Sequence, residues 1–419
     1  MKTAIVTLLA LILWTSGVVA GAVFGWWRRP IAPADDPQAF MRSATAVSER
    51  ANRGNTALLL IEKGAISGEY YSAVADRVDR NTVFATASMS KWIAALGVMK
   101  LVDLGKLDLD RPVEDYLTRW RLPASPFDHR KVTARRLLSH TAGLTDGLGF
   151  GDYLSTEPVP TLEQSLAAPR ASSGRPASIV VGMEPGTKWQ YSGGGYLLLE
   201  LLVEEVSGES FEAFITRTIL QPLGMSRSGY ADLGTLENSA KSYDRDGRPA
   251  AIARYASKAA TGFHTSAADM ATLVLAHVGG GPAFPFATAT LAAMRQPQAK
   301  ILGIEAWGLG TILYAPVSDG AFVFGHDGAN EPGISAAVRI NPATRDGIVV
   351  LATGGPGLAT TLGGEWVRWQ TGVPDVLSIP GEMRRVAPAL LGGALVILAL
   401  AVLQARRPRG TVRPGAGSA

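Results

Sequence analysis

Residues 88–91 read Ser88-Met89-Ser90-Lys91 and stand at the head of a mostly apolar run from Trp92 to Leu104. Residues three apart on a helix share a face, so this spacing predicts the Lys91 amine beside the Ser88 hydroxyl. A serine hydroxyl attacks poorly at neutral pH until a neighbouring base takes its proton, and a serine–lysine pair is one arrangement that does so. Ser90 has no lysine three residues on, which leaves Ser88 as the candidate nucleophile. Four residues occur together by chance in many chains, so the weight of the pattern depends on its surroundings.

The 419 residues are 47% hydrophobic and 18% charged, a balance that builds a large core and argues against disorder. The net charge of +4 is concentrated at the C-terminus, in Arg406, Arg407, Arg409 and Arg413, so the body is near neutral and no nucleic-acid partner is expected. Cysteine is absent, which excludes disulfides, thiolate metal ligands and a cysteine nucleophile. His129, His264 and His277 lack ligand-like spacing, and no metal or cofactor is expected.

Both ends are apolar. Thr3 to Trp27 carries no charge, is preceded by Lys2 and followed by Arg28 and Arg29, and is long enough to cross a bilayer. Ala20-Gly21-Ala22 also offers the small residues of a signal-peptidase site. Residues 1–35 therefore read as a membrane anchor or a removable signal with its linker, the anchor being favoured because Trp26-Trp27 extends the segment past that site. A second run, Val386 to Leu403, is too apolar on every face for an ordinary core helix. Residues 376–405 are read as a linker and C-terminal transmembrane helix, and 406–419 as a basic tail. Lys2 and the tail arginines, weighed against Arg28, Arg29, Arg384 and Arg385, lean towards cytoplasmic termini. The domain at 36–375 is then extracytoplasmic on the inner or plasma membrane, facing the lipid bilayer and cell-wall material.

Within that domain, Thr56 to Ala73 reads as a hairpin around a glycine turn. Near its end, Trp307 to Ala315, Ala321 to Gly325, Ile334 to Ile340 and Gly347 to Thr353 are short strands, with Asn341 to Asp346 as a turn. Between them, Val132 to Ser139 with Thr133 as cap, Gly195 to Val206 closed by Gly208, and Phe211 to Leu220 read as helices. Strands at both ends and helices between predict an α/β (α+β) fold: an antiparallel sheet flanked by helices, with an inserted all-helical subdomain and the site between them.

Three further segments surround the first motif: Leu137 to Leu144 (LLSHTAGL), Pro185 to Tyr196 (PGTKWQYSGGGY) and Gly325 to Asn330 (GHDGAN). With these the chain resembles the serine beta-lactamase-related hydrolases of the class C type, which include penicillin-binding D,D-peptidases, D-aminopeptidases and esterases. The resemblance covers roughly Glu49 to Trp369, with the motifs in the family's order. It implies a beta-lactamase/transpeptidase-like fold, Ser88 as the acylated nucleophile, Lys91 as its activating amine and Tyr191 as a proton shuttle. A tyrosine with a pKa near 10 is a poor base, but an adjacent ammonium such as Lys91 favours the phenolate. Whether Lys91 or Tyr191 is the resting base stays open, since coupled groups titrate as a set.

The backbone N–H groups of Ser88 and Ala329 are expected to form the oxyanion hole, with small Gly328 letting backbone approach substrate. His326 stands where the lactamases proper have the lysine of K-T-G, and is expected to steer a substrate carboxylate or polarise Tyr191. His140 reads as structural. Gly193 replaces the asparagine of Y-x-N, which in lactam-processing members holds the substrate's amide side chain. The departures at Gly193 and His326 favour ester, D-amino-acid peptide or cell-wall fragment substrates. A beta-lactamase proper and a non-turnover module that binds or senses wall fragments or beta-lactams are the alternatives.

Overall fold

The computed structural model describes residues 2–146, 152–153, 156–170, 177–251, 253–355 and 357–406. Strand β1 (Thr56–Glu62) is an unbroken apolar run because both its faces are covered. Ala57, Leu59 and Ile61 enter one core, while Leu58 and Leu60 enter another on the opposite side. Lys63 and Gly64 both take positive φ, 50° and 79°, as a two-residue hairpin turn requires, and return the chain as β2 (Ala65–Ser72).

The remaining strands of this sheet come from the C-terminal third: β3 (Ala299–Ile301), β4 (Ile304–Trp307), β5 (Ile312–Pro316), β6 (Phe322–Asn330), β7 (Ile334–Asn341) and β8 (Asp346–Thr353). Among the described residues they form an eight-stranded antiparallel sheet ordered β2-β1-β8-β7-β6-β5-β4-β3. Thr56 faces Ala352 and Ile61 faces Gly347, so the two ends of the domain meet side by side as expected.

Two strands depart from the sequence reading. Trp307 to Ala315 is not continuous, because Gly310 takes φ 69° and the Gly308 N–H closes a turn onto Thr311 O at 2.9 Å. The strand expected to stop at Gly325 runs on to Asn330, since β7 pairs with it up to Asn330 opposite Ile334. Strand β5 pairs with β6 only as far as Gly325, so among the described residues His326 to Asn330 have a strand neighbour on one edge alone.

One face of the sheet is covered by α2 (Pro37–Ala51), where Phe40 stacks on Trp369 with ring centres 4.9 Å apart. The other carries α3 (Ser90–Asp103), α4 (Ala134–Leu138), capped by Thr133 as expected, α5 (Gly194–Ser207) and α6 (Ala267–His277). Gly194 to Val203 are all buried, so α5 runs through the core rather than over it. It ends at Gly208, whose φ of 75° is the left-handed cap that glycine supplies. Phe211 to Leu220 is α-helical only to Ile215 and then widens into a π-turn. Helix α7 (Leu358–Thr371), which carries Trp369 and wholly buried Trp366, packs on the same face as α2.

Helices α1 (Lys2–Val23) and α8 (Ile379–Arg406) are long and apolar enough to cross a membrane, each holding an 18-residue stretch, of mean hydropathy 2.1 in the first and 2.6 in the second. They pack on each other through Val18, Ala22 and Val386. At their base Arg28 pairs with Glu365 and Glu382, and Arg368 pairs with Glu382 at 2.7 Å. The basic tail beyond Arg406 lies outside the described residues.

Candidate active site

Ala87 takes a left-handed φ of 46°, which turns the chain sharply out of the strand at Val83–Ala85. A tight 3-10 turn over Ala87–Met89 follows, and the α-helix begins only at Ser90. Ser88 therefore sits in the lead-in turn rather than on the helix proper, yet the side chains still meet: Lys91 Nζ lies 3.3 Å from Ser88 Oγ. The same amine donates to Ala260 O at 2.9 Å, and the lysine is wholly buried. Ser90 is occupied by the fold. Its hydroxyl donates to Ala87 O at 2.6 Å and accepts the Phe263 N–H at 2.9 Å. Thr86 adds its hydroxyl to Phe263 O at 2.7 Å, so the turn that carries Ser88 is stitched to residues 260–263.

Tyr191 precedes α5 and is half-buried, with its ring centre 5.0 Å from Lys91 Nζ. His140 supports it. The imidazole lies 4.4 Å from the Tyr191 ring, its Nδ1 accepts the Ser192 N–H at 3.1 Å, and its carbonyl accepts the Gln190 N–H at 2.8 Å. An accepting Nδ1 means a neutral ring, in keeping with burial and the Lys91 charge, which drive its pKa well below the usual value. Gly193 is buried at the N-cap of α5. The sequence reading missed Asp146, whose carboxylate accepts the Ser192 hydroxyl at 2.5 Å and the Gly194 N–H at 2.7 Å. It caps α5 from a distant loop and so fixes the segment that carries Tyr191.

Along β6 the side chains alternate between the two faces. His326 is 1% exposed, and its Nδ1–H donates to Asp327 O at 2.6 Å. Burial pushes its pKa down to about 4, which the Asp327 carbonyl only partly offsets, so the ring is uncharged at neutral pH. Steering a carboxylate by a full positive charge, one of the two roles expected for it, does not fit this environment. Its Nε2 is buried and has no hydrogen-bond partner among the described residues.

Asp327 faces the opposite side, where Arg339 pairs with it and Thr360 and Tyr314 donate hydroxyls to it at 2.6 and 2.7 Å. Arg339 also reaches Asp375 at 3.0 Å, with both of these side chains wholly buried. Gly328 lies against the turn that carries Ser88: a Cβ there would stand 1.8 Å from Thr86 O and 2.9 Å from Met89 N. Ala329 follows and is exposed.

Ser88, Lys91, Tyr191 and Gly328 are thus brought together, and the Lys91 charge also reaches His326. A hydroxyl beside a buried amine, with a phenol close by and a strand edge opposite, is equipped for base-assisted attack on a carbonyl.

The beta-lactamase family model matches residues 42–372. The chain is 29% identical over 360 residues to penicillin-binding protein 4 of Amycolatopsis lactamdurans, covering 78% of this chain and 88% of that protein. It is 34% identical over 164 residues to esterase EstB of Burkholderia gladioli, covering 36% of this chain and 39% of the esterase. The octameric penicillin-binding protein homologue of Pyrococcus abyssi shares the fold, with a TM-score of 0.65 at 24% identity over 81% of this chain and 78% of that one.

Proposed function

The chain belongs to the beta-lactamase family of serine hydrolases, and from that premise we propose that it is a membrane-tethered enzyme that forms an acyl-enzyme on Ser88 from esters or D-amino-acid peptides and amides. The 3.3 Å approach of Lys91 Nζ to Ser88 Oγ carries this reading. Ser88 attacks the substrate carbonyl as its proton passes to the coupled Lys91–Tyr191 pair. The N–H groups of Ser88 and Ala329 receive the developing oxyanion, and the pair then protonates the leaving group. Water, deprotonated by the same pair, attacks the acyl-enzyme and frees Ser88.

Two features favour ester and D-peptide substrates over lactams. Gly193 has no amide to hold an acylamino side chain, and uncharged His326 offers a hydrogen bond where a lysine would offer a charge. The likeness to esterase EstB points the same way. The two apolar helices support the tether, and the distribution of basic residues supports an extracytoplasmic domain acting on cell-wall fragments or other envelope material.

The test is turnover of a nitrophenyl ester, a D-Ala-D-Ala peptide and a chromogenic cephalosporin by the wild-type chain and its Ser88→Ala variant. The ester or the peptide is expected to be the better substrate, with all activity lost in the variant. Cephalosporin as the best substrate would overturn the specificity, and a stable adduct without product would make the protein a binding module.

A further inference from the structure

Helix α5, which starts just beyond Tyr191, carries a carboxylate inside the core. Glu200 is 3% exposed and stands in the stretch Gly194 to Val203 that is buried throughout. Its Oε2 accepts the Ala259 N–H at 3.0 Å and the Ser257 hydroxyl at 3.4 Å. Ser257 Oγ in turn accepts the Ala260 N–H at 3.0 Å. These bonds pin the turn Lys258–Gly262, which presents the Ala260 carbonyl to Lys91 Nζ. A carboxylate is costly in such a place, and an apolar side chain would fill it at lower cost, so packing gives no reason for its presence.

We propose that Glu200 is a positioning residue: by gripping the turn at Ala259 it holds the Ala260 carbonyl against Lys91, and so sets the orientation of the amine beside Ser88. The inference rests on the Ser88–Lys91 reading given above.

The charges and titratable groups around Glu200 come from several elements. Glu204 lies one turn along the same helix, Lys258 sits on the pinned turn, Glu212 pairs with Lys258 at 2.7 Å, and the buried phenol of Tyr230 is close enough to feel the Glu200 charge. Burial lifts the Glu200 carboxyl to about 7, and Glu204 adds to the rise. The Ala259 N–H, Lys258 and Ser257 oppose it. The ionised carboxylate accepts the Ala259 N–H more strongly than the protonated acid does, so Ser88 activation climbs with pH as Glu200 ionises.

The experiment follows the second-order rate at which a fluorophosphonate phosphonylates Ser88, displacing fluoride, in the full-length chain in detergent from about pH 5 to 9. Glu200→Gln is expected to remove the ionisation near neutrality from the acid limb, and Glu200→Ala to lower the plateau rate about tenfold. Glu204→Gln should move the limb to lower pH, and Ser257→Ala or Lys258→Met to higher pH, each by about half a unit. An acid limb unchanged in Glu200→Gln overturns the proposal. If that variant does not fold, as read by circular dichroism, the three neighbour variants decide, and limbs that all stay in place overturn it. A wild-type chain that is not modified at Ser88 defeats the nucleophile reading and this inference with it. Modification of Ser88 with unmoved limbs defeats this inference alone.

Discussion

A side chain on Gly328 would run into the carbonyl oxygen of Thr86, since even a Cβ would stand only 1.8 Å away. Strand β6 and the turn that carries Ser88 therefore touch backbone to backbone, and a wider gap there would carry Ala329 away from Ser88. Gly328→Ala should force the two apart. The expected loss is at least about 100-fold in kcat/KM for an ester substrate, the scale of losing one oxyanion donor. Steady-state kinetics on the variant checks this, and activity within a few-fold of wild type would contradict it.

Arg339 ties the same strand to the rest of the domain. Burial alone would raise the Asp327 carboxyl, but the charge of Arg339 and the bonds from Arg339, Thr360 and Tyr314 take it below the usual carboxylate range. Arg339→Met leaves Asp327 and Asp375 buried without their cation, at a cost of about 3–5 kcal/mol. Because the Asp327 pKa is depressed, the stability it contributes is present above the unfolded value near 4 and is lost as pH falls through the folded value. Without Arg339, burial raises the variant's buried carboxyls, so chemical unfolding of both proteins should show the gap between them narrowing as pH falls, starting above about pH 4 as those carboxyls protonate and continuing below it as wild-type Asp327 does.

His326 gives a different pH signature. Its folded pKa of about 4 lies under the ordinary 6.5, so unfolded chains take up its proton first as pH drops. Its contribution falls between those two values, by up to about 3 kcal/mol, and is constant above them. The stability difference between wild type and His326→Gln, followed by unfolding from pH 7 to 4, should change in that window. Since the neutral ring acts only through hydrogen bonding, His326→Gln should also keep kcat/KM within about tenfold of wild type.

Gly193→Asn restores a polar side chain two residues after Tyr191. Gly193 has φ −75°, which any residue adopts, so the backbone accepts the change. The ratio of cephalosporin to ester kcat/KM should rise about tenfold, the worth of one added hydrogen bond. Parallel assays of the two substrates measure it.

What could be read in advance was local. Ser88, Lys91 and Tyr191 sit in short motifs, and the β1–β2 hairpin, the Thr133 cap and the Gly208 terminus are each decided by a few adjacent residues. What could not be read depends on chain neighbours far apart in sequence. Nothing in the GHDGAN string marks Asp327 as an ion-pair partner; β7 and α7 place Arg339 and Thr360 beside it. Asp146 and Glu200 look like ordinary surface charges, because burial is decided by what packs over them. The extension of β6 to Asn330 needed β7 as a partner, and nothing within the GHDGAN string itself announces a strand.

The proposed reaction passes through a covalent intermediate on Ser88. Acid quench of the chain during turnover of a nitrophenyl ester, followed by peptide mass mapping, is its most direct test. One acyl group is expected on the peptide containing Ser88, with none in Ser88→Ala and no turnover by that variant. An acyl group on another residue, or undiminished ester hydrolysis by Ser88→Ala, would contradict it.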